Sequence, residues 1–252
     1  MEGLETSLKT LGLPTVRGCY AEVAGQATRE GLSYPEFLQE VLARECEVRH
    51  HHRIERLLHE SRLPLEKSLE NLDLSRLPLR VRQQLAALRD GKFLERRENA
   101  LVFGNPGSGK THLLCGLSQA LIRQGYRVYY RPCSLLVQEL LLAKKELALP
   151  RLLRRLGGYQ ALFIDDLGYV QQSREEMEAL FTLLAERYER GSVLLTSNLP
   201  FSRWEEIFKD PMTTAAAIDR LVHHSVIIEL NLPSYRVEQA KAAKAAVPGD
   251  AQ

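Results

Sequence analysis

The stretch "LVFGNPGSGKTHLL", residues 101–114, decides the fold class of this chain. Three apolar residues run into a loop that contains Gly104, Gly107 and Gly109, and a lysine and a threonine then open a second apolar run. The stretch fits G-x-x-x-x-G-K-[ST] in full, in the strand-to-helix setting that the pattern requires. Glycines let backbone N–H groups turn inward around phosphate, and the positive end of the following helix faces the same anion. The stretch therefore predicts a phosphate-binding loop.

The loop predicts how a nucleotide and Mg²⁺ would be held. We expect Lys110 to reach the outer phosphates and Thr111 to offer its hydroxyl to Mg²⁺. The expected binding residues are Gly104, Asn105, Pro106, Gly107, Ser108, Gly109, Lys110, Thr111 and His112.

Two further segments place polar residues at predicted strand ends. "ALFIDDLG" (161–168) ends a buried strand with Asp165, the expected Mg²⁺ ligand, and Asp166, which could orient or deprotonate the attacking water. A strand-end aspartate can also be only a turn former or helix cap. "SVLLTSN" (192–198) ends in Asn198. If its strand lies between the other two, Asn198 points at the γ-phosphate and the water beside it.

Short apolar runs alternate with amphipathic stretches from residue 99 onward. They predict strands at 100–104, 126–130, 160–165, 192–198 and 225–230. Helices between them favour a parallel sheet with right-handed crossovers, so the fold class is α/β with a central parallel five-stranded sheet. Ligands of such sheets gather at the carboxyl ends of the strands.

The N-terminal part reads as an all-helical domain, residues 1–66, before a second domain at 67–252 that contains the phosphate-binding loop and the predicted sheet. Ser33 and Glu36 form a capping pair that opens a long helix, and Pro64 ends it.

With 44% apolar and 26% charged residues the composition is that of a globular protein, and no apolar run is long enough to span a membrane. The N-terminus lacks the order of a secretory signal, so a cytoplasmic location is expected.

Cysteine and histidine patterns argue against a metal fold. The four cysteines are far apart without a CxxC pair, so buried thiols are expected rather than a zinc site or disulfides. The run His50-His51-His52 splays around a helix, whereas converging imidazoles usually need i, i+4 spacing.

The quoted motifs together resemble the AAA+ ATPases of the DnaA/DnaC clade, and most closely the IstB family of helpers for bacterial insertion-sequence transposases. The resemblance covers nearly the whole chain and includes "GNPGSGKTHLL", "LFIDDLGY", "LLTSNLPFSRW", "AIDRLVHHS" and "LPSYR". It implies an AAA+ fold with a small C-terminal lid at about residues 232–246, ATP-dependent self-association, binding of duplex DNA largely without sequence preference, and control of a partner transposase.

The resemblance also assigns catalytic roles. Lys110, Asp166 and Asn198 match the Walker A lysine, the second Walker B position and sensor 1. Arg220 in "AIDRL" matches the arginine finger, and Arg236 in "PSYR" matches sensor 2. The second Walker B residue is usually glutamate, so the shorter Asp166 predicts slow hydrolysis.

The charge pattern offers a candidate DNA surface. Residues 123–155 hold eight basic residues against two acidic ones, a local net charge of +6. A solvated helix face explains such a run about as well, so DNA binding rests mainly on the resemblance. The candidate contacts are Lys144, Lys145, Arg151, Arg154 and Arg155, with a weaker stripe at Arg49, Arg53 and Arg56.

Two other functions compete with a transposition helper. A DnaC-like replicative helicase loader would use the same kind of ATPase, but its helicase-binding N-terminal module often carries a zinc site. The helical N-terminal domain of this chain, residues 1–66, which we also call the arm, has no cysteine cluster. A small-molecule kinase would need mobile lid arginines, whereas the arginines here fall where AAA+ subunits would meet.

Overall fold

The structure of the protein is a computed structural model that describes residues 2–168, 173–235 and 237–238. The chain divides into two compact units, residues 1–56 and 57–252. The predicted domain boundary at residue 66 stays a prediction. Within the described residues, no helix combines the length and apolar character needed to cross a membrane.

The first unit is helical, as the sequence predicts. It contains α1 (Glu2–Thr10), α2 (Pro14–Glu30) and most of α3 (Tyr34–Ser61), whose last turn belongs to the second unit. Its small core is built around Leu8, Val16, Val23 and Val41. At the start of α3 the Glu36 carboxylate accepts hydrogen bonds from both the N–H and the hydroxyl of Ser33.

A buried carboxylate ties α2 to α3. Glu45 is 2% exposed and accepts the N–H groups of Thr15 and Val16 at 2.8 and 3.1 Å. Arg49 donates to the same carboxylate at 2.7 Å and also to the Gly12 carbonyl. Burial alone would raise the pKa of Glu45, but these hydrogen bonds outweigh it and hold the pKa below its ordinary value.

The second unit holds a five-stranded parallel sheet in the described residues, in the order β2-β3-β4-β1-β5. The strands are β1 (Asn99–Gly104), β2 (Val128–Pro132), β3 (Ala161–Leu167), β4 (Ser192–Ser197) and β5 (Ser225–Leu230). The α/β prediction is confirmed. β4 lies between β3 and β1, the condition on which the prediction for Asn198 depended.

Helices cover both faces of this sheet. They are α4 (Leu79–Leu88), α5 (Lys92–Glu95), α6 (Lys110–Arg123), α7 (Cys133–Lys145), α8 (Leu149–Gly157), α9 (Arg174–Arg187), α10 (Glu205–Phe208) and α11 (Pro211–Val222). The continuous burial of β1, β3 and β4 follows from this covering, because strands of parallel sheets are buried on both sides.

Two local predictions are corrected. β2 begins at Val128 rather than at Tyr126, because the Tyr126 N–H bonds to the Leu121 carbonyl in the turn that closes α6. Only two of the four thiols are buried: Cys115 and Cys133 are inside the second unit, whereas Cys46 is exposed on α3. Burial raises the pKa of the Cys133 thiol to about 12, so this thiol stays protonated.

Candidate nucleotide-binding site

The phosphate-binding loop connects β1 to α6, as predicted, and two of its glycines are required by close approaches. Gly104 has φ +150°, and a Cβ there would lie 2.2 Å from the Leu230 carbonyl oxygen of β5. Gly107 has φ +80°, and a Cβ would lie 2.1 Å from the Ser234 hydroxyl oxygen. The main chain of the loop is therefore held between β5 and the segment that follows β5.

Lys110 starts α6 and is 6% exposed. Its ammonium group donates to the carbonyls of Gly104 and Asn105 at 2.8 and 2.9 Å, so its charge lies over the loop. Ser108 contributes a buried hydroxyl oxygen with no hydrogen-bond partner in the described part of the chain. A loop with an anchored cation and an unsatisfied buried hydroxyl suits an anion that accepts hydrogen bonds.

Asp165 is the centre of a polar cluster beneath the loop. It is 4% exposed, and its Oδ1 accepts the hydroxyls of Thr111 at 2.8 Å and Thr196 at 2.6 Å. The Tyr130 hydroxyl donates to Oδ2 at 3.0 Å. Burial, together with the charge of Asp165, raises the pKa of the Tyr130 phenol far above its usual range, so the phenol remains a donor. Thr111 and Asp165, the two predicted metal ligands, are thus in direct contact.

Asp166 points away from this cluster because the strand bulges. The pairing of β3 with β4 shifts register between Ile164 and Leu167. Asp166 lies in the bulge with φ +59°, and its N–H donates to the Thr196 hydroxyl at 2.8 Å. Bulges re-aim a side chain at the edge of a site. Asp165 is therefore buried while its neighbour is exposed to the cavity.

The loop opens into a cavity of about 400 Å³. The residues that line it are Lys67, Asn71, Leu72, Asp73, Arg76, Leu77, Pro106, Gly107, Ser108, Gly109, Lys110, Thr111, His112, Asp166, Asn198, Leu232 and Tyr235. Asn198 carries a buried Oδ1 that has no hydrogen-bond partner among the described residues. An amide oxygen so placed can accept a hydrogen bond from a ligand or a water in the cavity.

The segment 64–77 forms one wall of the cavity, a contribution that the sequence reasoning missed. Gln119 on α6 donates to three of its carbonyls at 3.2–3.4 Å. The His112 ring in the first turn of α6 lies 2.8 Å from the Ser68 carbonyl oxygen, so this side chain packs against the wall. The segment that follows β5 is also tied to the loop, because the Tyr235 N–H donates to the Gly107 carbonyl at 3.0 Å.

Of the two other predicted arginines, only Arg220 lies among the described residues, and it stands apart from this cavity. Arg220 on α11 lies over the Phe181 ring, 4.9 Å from its centroid, and donates to the Ala216 carbonyl. It is not among the described residues that line the cavity. Arg236, and most of the predicted lid at 232–246, lie outside the described residues.

The predicted DNA contacts occupy two surfaces, one in each unit. Lys144, Lys145, Arg151, Arg154 and Arg155 are exposed at the end of α7 and on α8, with Arg155 paired to Glu139. Arg53 and Arg56 are exposed on α3, whereas the guanidinium of Arg49 is engaged by Glu45 and Gly12. Arg49 therefore contributes to the packing of the first unit, and two contacts already occupy its guanidinium.

The residues present fit ATP and Mg²⁺. The loop supplies an anion cradle with an anchored cation, and Thr111 and Asp165 supply the hard oxygen donors that Mg²⁺ prefers. The unsatisfied oxygens of Ser108 and Asn198 lie where phosphate or water would meet them. The fold and this site define a P-loop nucleotide-binding domain. The profile of the IstB-like ATP binding proteins matches residues 6–243. The chain belongs to that family.

Relatives and solved structures agree with this assignment. The chain is 41% identical over 238 residues to an insertion sequence ATP-binding protein of Sinorhizobium fredii, covering 94% of this chain and 80% of the relative. It is 37% identical to the insertion sequence IS21 ATP-binding protein of Pseudomonas aeruginosa, covering 96% and 92%. The fold is similar to DnaI (TM-score 0.54, 21% identity, 69% and 94% covered) and to AMPPCP-bound DnaA of Aquifex aeolicus (0.57, 16%, 76% and 58%).

Proposed function

We propose that the protein is an ATPase that assembles on duplex DNA in an ATP-dependent manner and stimulates a partner transposase. Its relatives, which are insertion sequence ATP-binding proteins, support a role in transposition. A helicase loader is the weaker alternative, because the likeness to the DnaC helicase loader is one of fold, with a TM-score of 0.52 at 18% identity. The observation that carries the ATPase is the cluster of Thr111, Asp165 and Thr196 beneath the phosphate-binding loop.

The nucleotide chemistry follows from the positions of the side chains. Lys110 would exchange its two carbonyl partners for phosphate oxygens, and Thr111 and Asp165 would hold Mg²⁺, whose charge would neutralise that of the phosphates. Asn198 accepts a hydrogen bond from the attacking water, and Asp166, exposed to the cavity, orients it or takes its proton.

Arg220 provides the argument for a site shared between subunits. It lies outside the cavity of its own chain, where Phe181 and a carbonyl hold its guanidinium. A planar, permanently charged guanidinium pairs bidentately with phosphate oxygens. We infer that Arg220 serves the ATP of a neighbouring subunit, where an arginine of this kind accelerates phosphoryl transfer by a factor of roughly 10³–10⁵. Arg236 would act as sensor 2, the role that the resemblance implies.

The DNA surface is proposed for the end of α7 and for α8. Lys144, Lys145 and Arg151 are exposed there and make no salt bridge with any described residue. Contacts of this type bind phosphates, so affinity should be similar for unrelated duplexes and should fall with salt. Changing all three to glutamine should weaken binding about equally for unrelated sequences. Unchanged affinity and salt dependence would move the DNA surface to Arg53 and Arg56.

A mixing experiment tests the ATPase and the shared site together. Arg220→Ala and Asp166→Asn should each bind ATP yet barely hydrolyse it. Their mixture should recover part of the turnover, because a subunit with intact Asp166 can receive an intact Arg220 from its partner. Lys110→Ala, which lacks the phosphate contact, is the control that should not bind ATP. Co-assembly without recovered turnover would contradict the shared site, and unchanged ATP affinity in Lys110→Ala would contradict the nucleotide site itself.

A further inference from the structure

Three exposed side chains with metal-binding atoms meet away from the nucleotide site. Glu189 follows α9, and His223 and His224 follow α11. One ligand atom of each lies within 4.8 Å of the other two. The His224 carbonyl accepts the Asn99 N–H at the start of β1, whereas the phosphate-binding loop follows the end of that strand. The length of the strand, about 17 Å, therefore separates the cluster from the loop.

We propose that Glu189, His223 and His224 bind a transition-metal dication of the Zn²⁺ type. Two imidazoles and one carboxylate are a donor set found in open zinc sites. Imidazole nitrogen favours Zn²⁺, Ni²⁺ and Cu²⁺, whereas Mg²⁺ favours oxygen ligands, so this site and the nucleotide site select different ions. Ligand atoms at about 2.0–2.1 Å from one zinc ion lie closer together than 4.8 Å, so the three exposed side chains would rotate toward one another on binding.

A neighbouring tyrosine orients the first histidine. The Tyr188 hydroxyl lies 2.8 Å from His223 Nδ1, and the two rings stack at 28° with centroids 6.1 Å apart. This hydrogen bond leaves Nε2 as the ligand atom, in the arrangement by which an outer partner fixes a metal-binding imidazole. The ring centroids of His223 and His224 are 4.1 Å apart, so both imidazoles are held close together.

The carboxylate is held by an unusual backbone. Glu189 has φ +57°, a left-handed conformation that is uncommon for residues other than glycine, asparagine and aspartate. Its carbonyl accepts a hydrogen bond from Arg97, which fixes the turn. A bound cation would tie this turn to the end of α11, one helical turn beyond Arg220.

Zinc titration of the full-length, untagged protein in competition with a chromogenic chelator tests the site. Millimolar Mg²⁺ and ATP are kept present throughout. We expect one Zn²⁺ per chain, with affinity falling more than 100-fold in His223→Ala and in Glu189→Gln. Tyr188→Phe keeps the ring but loses the hydrogen bond, and we expect a 10- to 100-fold loss. ATP binding by each variant verifies that it is folded.

The three exposed arm histidines supply the matched control. Replacing His50, His51 and His52 together with alanine should leave zinc affinity unchanged. The proposal is overturned if no stoichiometric zinc binds, if His223→Ala and Glu189→Gln bind as tightly as the unaltered protein, or if the arm variant abolishes binding. A Tyr188→Phe variant with full affinity would remove the orienting role of the phenol.

Discussion

Thr196 is the hydrogen-bond centre of the proposed active site, and replacing it with valine tests that geometry. The fully buried Thr196 hydroxyl donates to Asp165 at 2.6 Å and accepts the Asp166 N–H at 2.8 Å. Valine keeps the shape but removes both contacts. A hydrogen bond to a charged group contributes about 1.5–3 kcal/mol, and an unpaired buried N–H costs about 1–3 kcal/mol. Because Asp165 keeps the hydroxyl donors of Thr111 and Tyr130, we expect the free energy of unfolding to fall by about 3 kcal/mol in total.

Thermal unfolding without nucleotide, followed by circular dichroism, measures this loss. For a unit of this size about 3 kcal/mol lowers Tm by roughly 6–12 °C. Thr182→Val is the matched control, because Thr182 is exposed and, among the described residues, its hydroxyl bonds only to the Glu178 carbonyl of its own helix. If Thr196→Val unfolds within about 2 °C of the control, the cluster does not hold the two aspartates as argued.

Three further outcomes follow from the buried contacts. Gly104→Ala should destabilise the second unit far more than Gly109→Ala in urea unfolding, since both have positive φ but only Gly104 meets a backbone oxygen. Arg187→Met should lower the free energy of unfolding by about 3–5 kcal/mol, because four carbonyls lose the donor that Arg187 provides. The control Arg190→Met, at an exposed arginine, should change this free energy by less than about 0.5 kcal/mol. Because the pKa of Glu45 is lowered in the folded state, its carboxylate stabilises the first unit, and this stabilisation is fully present above the ordinary pKa of 4.5. The stabilisation is lost as the pH falls through the folded pKa. Protection factors of the α2 amides, corrected for the intrinsic pH dependence of exchange, should therefore fall in acid, and Glu45→Gln should already have lower protection at pH 7 and lose most of this dependence on pH.

The sheet and the phosphate-binding loop were predictable because their signals are local. Apolar runs ending in polar residues identified the strand ends, and the glycine spacing identified the loop. The cluster at Asp165 was predictable only in part. Thr111 was named from its motif, but Tyr130 and Thr196 come from strands whose neighbours depend on the whole topology. "LLTSN" contained the only signal for Thr196, and it drew attention to Asn198 instead.

The features that the sequence did not predict lie in irregular segments or depend on contacts between residues far apart along the chain. Residues 64–77 have no helical or strand period, so nothing local indicates that three of their carbonyls bond to Gln119 and that they line the cavity. Arg49 fitted a basic stripe by spacing alone. Its partner carbonyl at Gly12 lies 37 residues away along the chain, and a helix period contains no information about such a contact.

Asp166 has a left-handed backbone conformation, and this conformation favours aspartate over the longer glutamate at this position, independently of the chemistry of the carboxylate. Aspartate enters that region of φ and ψ several times more often than most residues, whereas a glutamate gains no such tolerance. Grafting the glutamate that most AAA+ proteins carry here would lengthen the side chain and strain the bulge at the same time. On the proposed mechanism, a faster variant would therefore need a redesigned strand end before the acid itself is exchanged.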